Sequence, residues 1–159
     1  MRPSPIHTHS GVAAAVPQEE YSQKPEGSAA SADAEYSLGD AEMDHSHDEF
    51  MQLAQQAAAA PSGDFAPALQ QLLQHTQDHF QKEELRMHGT DHRLLNEHRA
   101  EHQRILGDMA RFYERAEAGR SSMARAWVRD NLLEWFSAHV KTMDSALAAH
   151  LTDDSKDPD

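Results

Sequence analysis

The 159-residue sequence predicts an all-α fold, an antiparallel up-down-up-down four-helix bundle with a disordered N-terminal extension. Three observations predict it. Between 39 and 151 the chain is dominated by Ala, Leu, Gln, Glu, Arg and Met, which favour helix. Apolar residues there recur at spacings of three and four, and no alternating run suggests a strand. The breaks between these stretches are short, so successive helices run antiparallel.

The first helical stretch carries Met43, His47, Phe50, Ala54 and Ala57 on one face and stops before Pro61-Ser-Gly-Asp64. Asp64 is placed to cap the second, whose stripe is Leu69, Leu72/Leu73, Thr76, Phe80 and Met87. Gly89 can end that helix, and Thr90 or Asp91 can cap the third. The third stripe is Leu94/Leu95, His98, His102, Ile105, Met109 and Phe112. Gly107 lies within it, at a cost of about 1 kcal/mol relative to Ala. Gly119 ends the third helix, and Ser121 or Ser122 can cap the fourth. The fourth stripe is Val128, Leu132, Trp135/Phe136, His139, Met143 and Leu147.

The flanks read as tails. Residues 1–38 hold four prolines among Ser, Ala, Gly and Glu, with too little apolar surface to offset ordering. Residues 152–159 are a second, acidic tail. The net charge of −13 argues against nucleic acid and anionic membranes as partners. No apolar run approaches the roughly 20 residues of a membrane span. The apolar stretch Gly11–Val16 is too short for a signal-peptide core. With no cysteine, disulfides, thiol catalysis and thiolate metal sites are excluded, and a reducing cytoplasm is the expected location.

The stripes contain histidines where a bundle core takes leucine. His47, His98, His102 and His139 sit on them, His79 adjoins Phe80, and Glu83 and Asp144 share these faces. Unpartnered, five imidazoles and two carboxylates in one core layer would cost a few kcal/mol each, and an ionised carboxylate far more. They must satisfy one another, reach water or bind something, and metal satisfies all at once. Spacing alone is weak evidence. A His-x-x-x-His pair arises about once by chance in this composition, and three occur: His75/His79, His88/His92 and His98/His102. The ordered set is stronger, because every helix contributes and none of the seven lies in a tail. One tension remains: His139 and Asp144, five apart, sit about 140° apart on an ideal helix. Either they converge from the flanks of the inward face, or a π-bulge brings i and i+5 into register.

These residues carry a resemblance. Met43-Asp-His-Ser-His47-Asp-Glu-Phe50, His79-Phe80-Gln-Lys-Glu83-Glu84, His98-Arg-Ala-Glu-His102 and Trp135-Phe-Ser-Ala-His139-Val-Lys-Thr-Met-Asp144 resemble, in order, the motifs of the hemerythrin family of four-helix di-iron proteins. The likeness covers about 40 to 151. It implies a metal site of His47, His79, Glu83, His98, His102, His139 and Asp144 and a cofactor of two iron ions with an oxo or hydroxo bridge. By resemblance, His98, His102 and His139 hold one iron, His47 and His79 the other, and Glu83 and Asp144 bridge them. Dioxygen or another small diatomic ligand would meet the second iron, beside Phe136 or Ser137.

The implied function is reversible dioxygen binding for carriage, storage or sensing. The alternatives are a di-iron enzyme (peroxidase, oxidase or nitric-oxide-handling protein) and an iron-storage or metal-buffering protein. Nothing beyond the ligands forms an acid–base pair, so an enzyme is the lesser expectation and no catalytic residue is assigned. Imidazole suits Fe, Zn, Cu and Ni, and a histidine-rich shell favours Fe²⁺. Ferritin-like sites need two Glu-x-x-His pairs, and this chain has one, Glu42/His45. His45 competes with His47 but points about 200° away on the helix. His75, on the face of His79, is expected at the core edge rather than as a ligand. His88, His92 and His150 read as solvated, and His7 and His9 belong to the tail.

Overall fold

The computed structural model describes residues 36–88 and 95–154. The expected helix boundary at Gly89–Asp91, and His92, Leu94, His7 and His9, lie outside the described residues. Helix α1 spans Ala41–Ala59, α2 Phe65–His88 and α3 Leu95–Glu117. The fourth rod joins α4 (Ser121–Trp127), a π turn (Val128–Leu132), α5 (Leu133–His139), a second π turn (Val140–Asp144) and α6 (Ser145–Asp154). The backbone stays right-handed helical through each of these junctions, so 121–154 is one continuous rod. α1 packs on α2, α2 on α3, α3 on the fourth rod, and that rod returns to α1, closing a four-membered bundle. No strand occurs among the described residues.

The helix ends have identifiable chemistry. Asp40 caps α1, accepting a 3.0 Å hydrogen bond from the Met43 amide. Its carboxylate also takes a paired contact from the Arg86 guanidinium at the end of α2. α2 starts directly after Asp64, whose carbonyl accepts from the Ala68 amide at 3.1 Å. At the end of α3, Gly119 adopts φ +77 and the Gly119 and Arg120 amides return to the Ala116 and Arg115 carbonyls, both at 2.9 Å. That closing turn requires the left-handed conformation glycine adopts without strain. It runs straight into the next helix, so Arg120 is the N-cap residue and no serine side chain caps it. Arg125 reaches back to the open end of α1, donating to the Ala58 carbonyl at 2.9 Å and the Ala60 carbonyl at 2.6 Å.

The core follows the expected stripes, with two displacements. Phe50, Ala54, Phe65, Leu69, Leu72, Ile105, Met109, Leu132 and Phe136 form one continuous apolar cluster. Fully burying a large side chain of this kind contributes about 1.5–3 kcal/mol. Phe112 is only partly buried, stacked on Trp127. Met143 is also partly buried; Val140, Asp144 and Leu147 face inward instead, because the second π turn re-registers the rod. Tyr36 and Leu38 pack against this core, and the Asp44 carboxylate holds their segment through Ser37 Oγ and the Leu38 and Gly39 amides. Gly107 faces open space, and nothing in the structure explains it.

Candidate metal centre

The apolar cluster is interrupted by a polar layer. α1 supplies His47. α2 supplies His79 and Glu83, and α3 supplies His98 and His102; each pair is one turn apart on one face. The fourth rod supplies His139 and Asp144. The π turn Val140–Asp144 lies between them, and its wider turn lets residues five apart point the same way. All seven side chains are at most 4% exposed.

The donor atoms fall into two overlapping groups. One comprises Glu83, His98, His102, His139 and Asp144; the other comprises His47, His79, Glu83 and Asp144. Within each group the donors lie within 4.8 Å of one another. Only the carboxylates belong to both, and each divides its oxygens between them. Asp144 Oδ1 is 2.9 Å from His98 Nε2 and 3.1 Å from His139 Nε2, while Oδ2 is 3.2 Å from His47 Nε2. Glu83 Oε2 is 3.3 Å from His102 Nε2, while Oε1 is 3.4 Å from His79 Nε2.

The rings are oriented from behind. His102 Nδ1 is 3.2 Å from Glu84 Oε1, and Glu84 also accepts from Arg99 Nε at 3.2 Å. His47 Nδ1 makes a longer contact, 3.4 Å, to the Tyr36 carbonyl oxygen. Both partners only accept, so Nδ1 carries the proton and Nε2 turns a lone pair into the layer. Stacking holds the planes. Phe80 lies 3.7 Å from His102 at 3°, and Trp135 lies 4.6 Å from His139 at 26° while donating to Glu101 Oε2 at 3.0 Å. On the other side, Phe136 meets His47 edge-on at 5.5 Å and stacks on Phe50.

The electrostatics suit cations. Burial, with help from neighbouring imidazoles, pushes His79 down to about 3 and His102 down to about 2, so both are neutral lone-pair donors near pH 7. Burial pushes Glu83 well up, reinforced by the charge of Asp144. Burial would raise Asp144 as well, but His139, His47 and His98 outweigh it and hold that carboxyl well below the usual range. Nε2 of His47 and of His79 and all four carboxylate oxygens are buried without a properly directed hydrogen bond. Lone pairs converging on lone pairs are unfavourable unless positive charge lies between them. The set fits metal on its chemistry too, since mixed imidazole and carboxylate donors suit first-row metals such as iron. The Nε2 atoms of His98 and His102 lie 3.0 and 3.2 Å from His139 Nε2. Donors about 2.1 Å from a common ion and at right angles stand about 3 Å apart.

The remaining histidines sort by exposure. His45 is turned outward, 75% exposed, beside Glu49. His75 sits at the core edge, its Nε2 3.0 Å from the Ser46 carbonyl oxygen. The sequence reading gave no role to Glu84 or Tyr36. Glu84 was within reach as the acid following Glu83, whereas a backbone carbonyl acting across the fold leaves no trace in residue type. A small cavity of about 10 Å³ touches His79 and Glu83 and is lined by Met43, Ser46, Lys82 and Arg86.

The chain is similar to known proteins. The family model described as the hemerythrin HHE cation binding domain matches residues 38–151. A bacteriohemerythrin from Ralstonia nicotianae is 36% identical over 114 residues, covering 72% of this chain and 82% of that protein. No solved structure matches.

Proposed function

The chain belongs to the hemerythrin family, and from that membership we propose that its seven-residue layer holds two iron ions and binds dioxygen reversibly. The observation that carries this reading is the division of the two carboxylates, each turning one oxygen to each histidine group. Three imidazoles serve one position and two serve the other. The second position is one donor short, so a small ligand has its place beside His47 and His79. When bound, a pair of ferrous ions supplies the two electrons that a reversible union with dioxygen requires.

The protein's own contribution is holding, shielding and orienting. Glu84 and the Tyr36 carbonyl fix which imidazole nitrogen faces inward. Phe50, Phe80 and Phe136 are at most 2% exposed and wall the layer from water, which limits irreversible oxidation. The small cavity between α1 and α2 reaches His79 and Glu83 and is the approach the protein offers a small ligand. No described helix is long and apolar enough to cross a membrane.

Anaerobic reduction of the iron-loaded protein followed by admission of air tests the reading. A visible charge-transfer band that appears with air and fades on degassing is the expected result. Rapid irreversible oxidation with peroxide release would contradict reversible binding, and sustained turnover with added reductant would favour an enzyme instead.

A further inference from the structure

α1 and α2 carry a second set of donors, outside the buried layer. His45 and Glu49 stand one turn apart on the outer side of α1, with His45 Nε2 3.4 Å from Glu49 Oε1. His75 of α2 directs Nδ1 at the other oxygen of the same carboxylate, 3.7 Å away. The His75 tautomer follows from its other contact. Nε2 lies 3.0 Å from the Ser46 carbonyl oxygen, which only accepts, so Nε2 carries a proton and the neutral ring has its lone pair on Nδ1. An imidazole lone pair therefore faces a carboxylate, with a second imidazole at that carboxylate's far side. The side chains are reachable: His45 is 75%, Glu49 49% and His75 15% exposed. The His75 ring also lies parallel to that of His79, 12° apart in plane and 6.3 Å between centroids.

We propose that His45, Glu49 and His75 form a further divalent-cation site, at which a metal ion is captured before it enters the buried layer. Two donors at i and i+4 plus a third from the neighbouring helix make a three-point grip, and imidazole with carboxylate selects transition metals over Ca²⁺ or Mg²⁺. His45 and Glu49 are exposed enough to turn onto one ion. The seven buried ligands are nearly inaccessible, and an outer station at His75, whose ring is stacked on that of His79, would hold metal one residue from the layer. The feeding role rests on the proposal that the buried layer holds metal; the surface site itself does not.

Isothermal titration of the iron-loaded full chain with Zn²⁺ alone tests the site, in a His7→Ala/His9→Ala background that removes the tail histidines. One Zn²⁺ per chain is expected, weakened at least tenfold by His45→Ala or Glu49→Gln, with iron content unchanged. Zn²⁺ binding in both variants equal to that of the parent overturns the site. So does the absence of such binding in the parent, which is what a simple His75–Glu49 ion pair predicts. Stopped-flow uptake of Fe²⁺ by the metal-free chain tests the feeding role. Glu49→Gln is expected to slow uptake severalfold and reach the same end point; uptake at the parent's rate overturns that role. A parent chain that takes up no iron refutes the buried-centre reading; the same Zn²⁺ titration, parent against His45→Ala and Glu49→Gln in the chain as purified, then decides the surface site.

Discussion

Glu84 shows how one partly buried carboxylate acts on a fully buried ring. It accepts from His102 Nδ1 and from Arg99, which fixes the ring and makes its inward nitrogen more basic. Glu84→Gln keeps an accepting oxygen but removes the charge, and about a tenfold loss of metal affinity in competition with a chelator is expected. Unchanged affinity would deny Glu84 this role. The buried titratable groups set an acid limit on the metal-free protein. His79 and His102 have folded values of about 3 and about 2 against an ordinary 6.5, so the unfolded chain takes up their protons first as pH falls. Their stability contribution is complete above about pH 6.5 and is lost progressively towards pH 3. Asp144, held low, adds loss in the same direction at lower pH, while Glu83, held high, opposes over its own range. The two imidazoles outweigh the one carboxyl, so the net effect is a loss of stability as pH falls below about 6.5. The urea midpoint of the metal-free protein should therefore be lower at pH 5 than at pH 7; a higher midpoint at pH 5 contradicts these environments.

At the scale of elements, the π turn Val140–Asp144 explains why residues five apart reach one layer. Deleting Thr142, an exposed residue inside that turn, converts the spacing to i and i+4, which an ordinary helix also places on one face. Such a chain is expected to keep its iron. Deleting Ala100 from the regular helix α3 instead rotates His98 by about 100° relative to His102, Ile105 and Met109, which takes it off the inward face that they define and should abolish iron binding. Iron analysis of the two purified deletions checks both, and the reverse pattern refutes the geometry. This turn also marks what could be read beforehand. The inward faces of α1, α2 and α3 were legible because 3.6-residue periodicity is strong over such lengths. The 139–144 spacing revealed a departure from that periodicity but not its form, and Met143 was placed inward for that reason. The absence of a serine cap on α4 was hidden for a related reason, since the closing turn at Gly119 uses Arg120 as the first residue of the next start.

On the scale of the molecule, the four rods form one cage whose polar layer belongs to no single helix. The segment before α1 belongs to that cage, because Tyr36 bonds His47, its ring packs on Phe136, and Asp44 holds its backbone. Expected from composition as part of a tail, residues 36–38 contribute backbone and apolar contacts that composition does not encode. Removal of 1–35 is expected to leave iron content unchanged, whereas removal of 1–38 should weaken iron binding about tenfold, read by chelator competition. Equal affinity in the two truncations would show that Tyr36 does not support His47. The helix likewise continues to Asp154, past the expected start of the acidic tail at 152. Every role assigned to these side chains depends on two cations inside the cage. Anomalous diffraction at the iron edge, from crystals of the anaerobically loaded full chain, tests that most directly. The expected map has two peaks, one bonded to His98, His102 and His139 and one to His47 and His79, each also touching Glu83 and Asp144. A single peak, or iron lying outside these seven side chains, would contradict it.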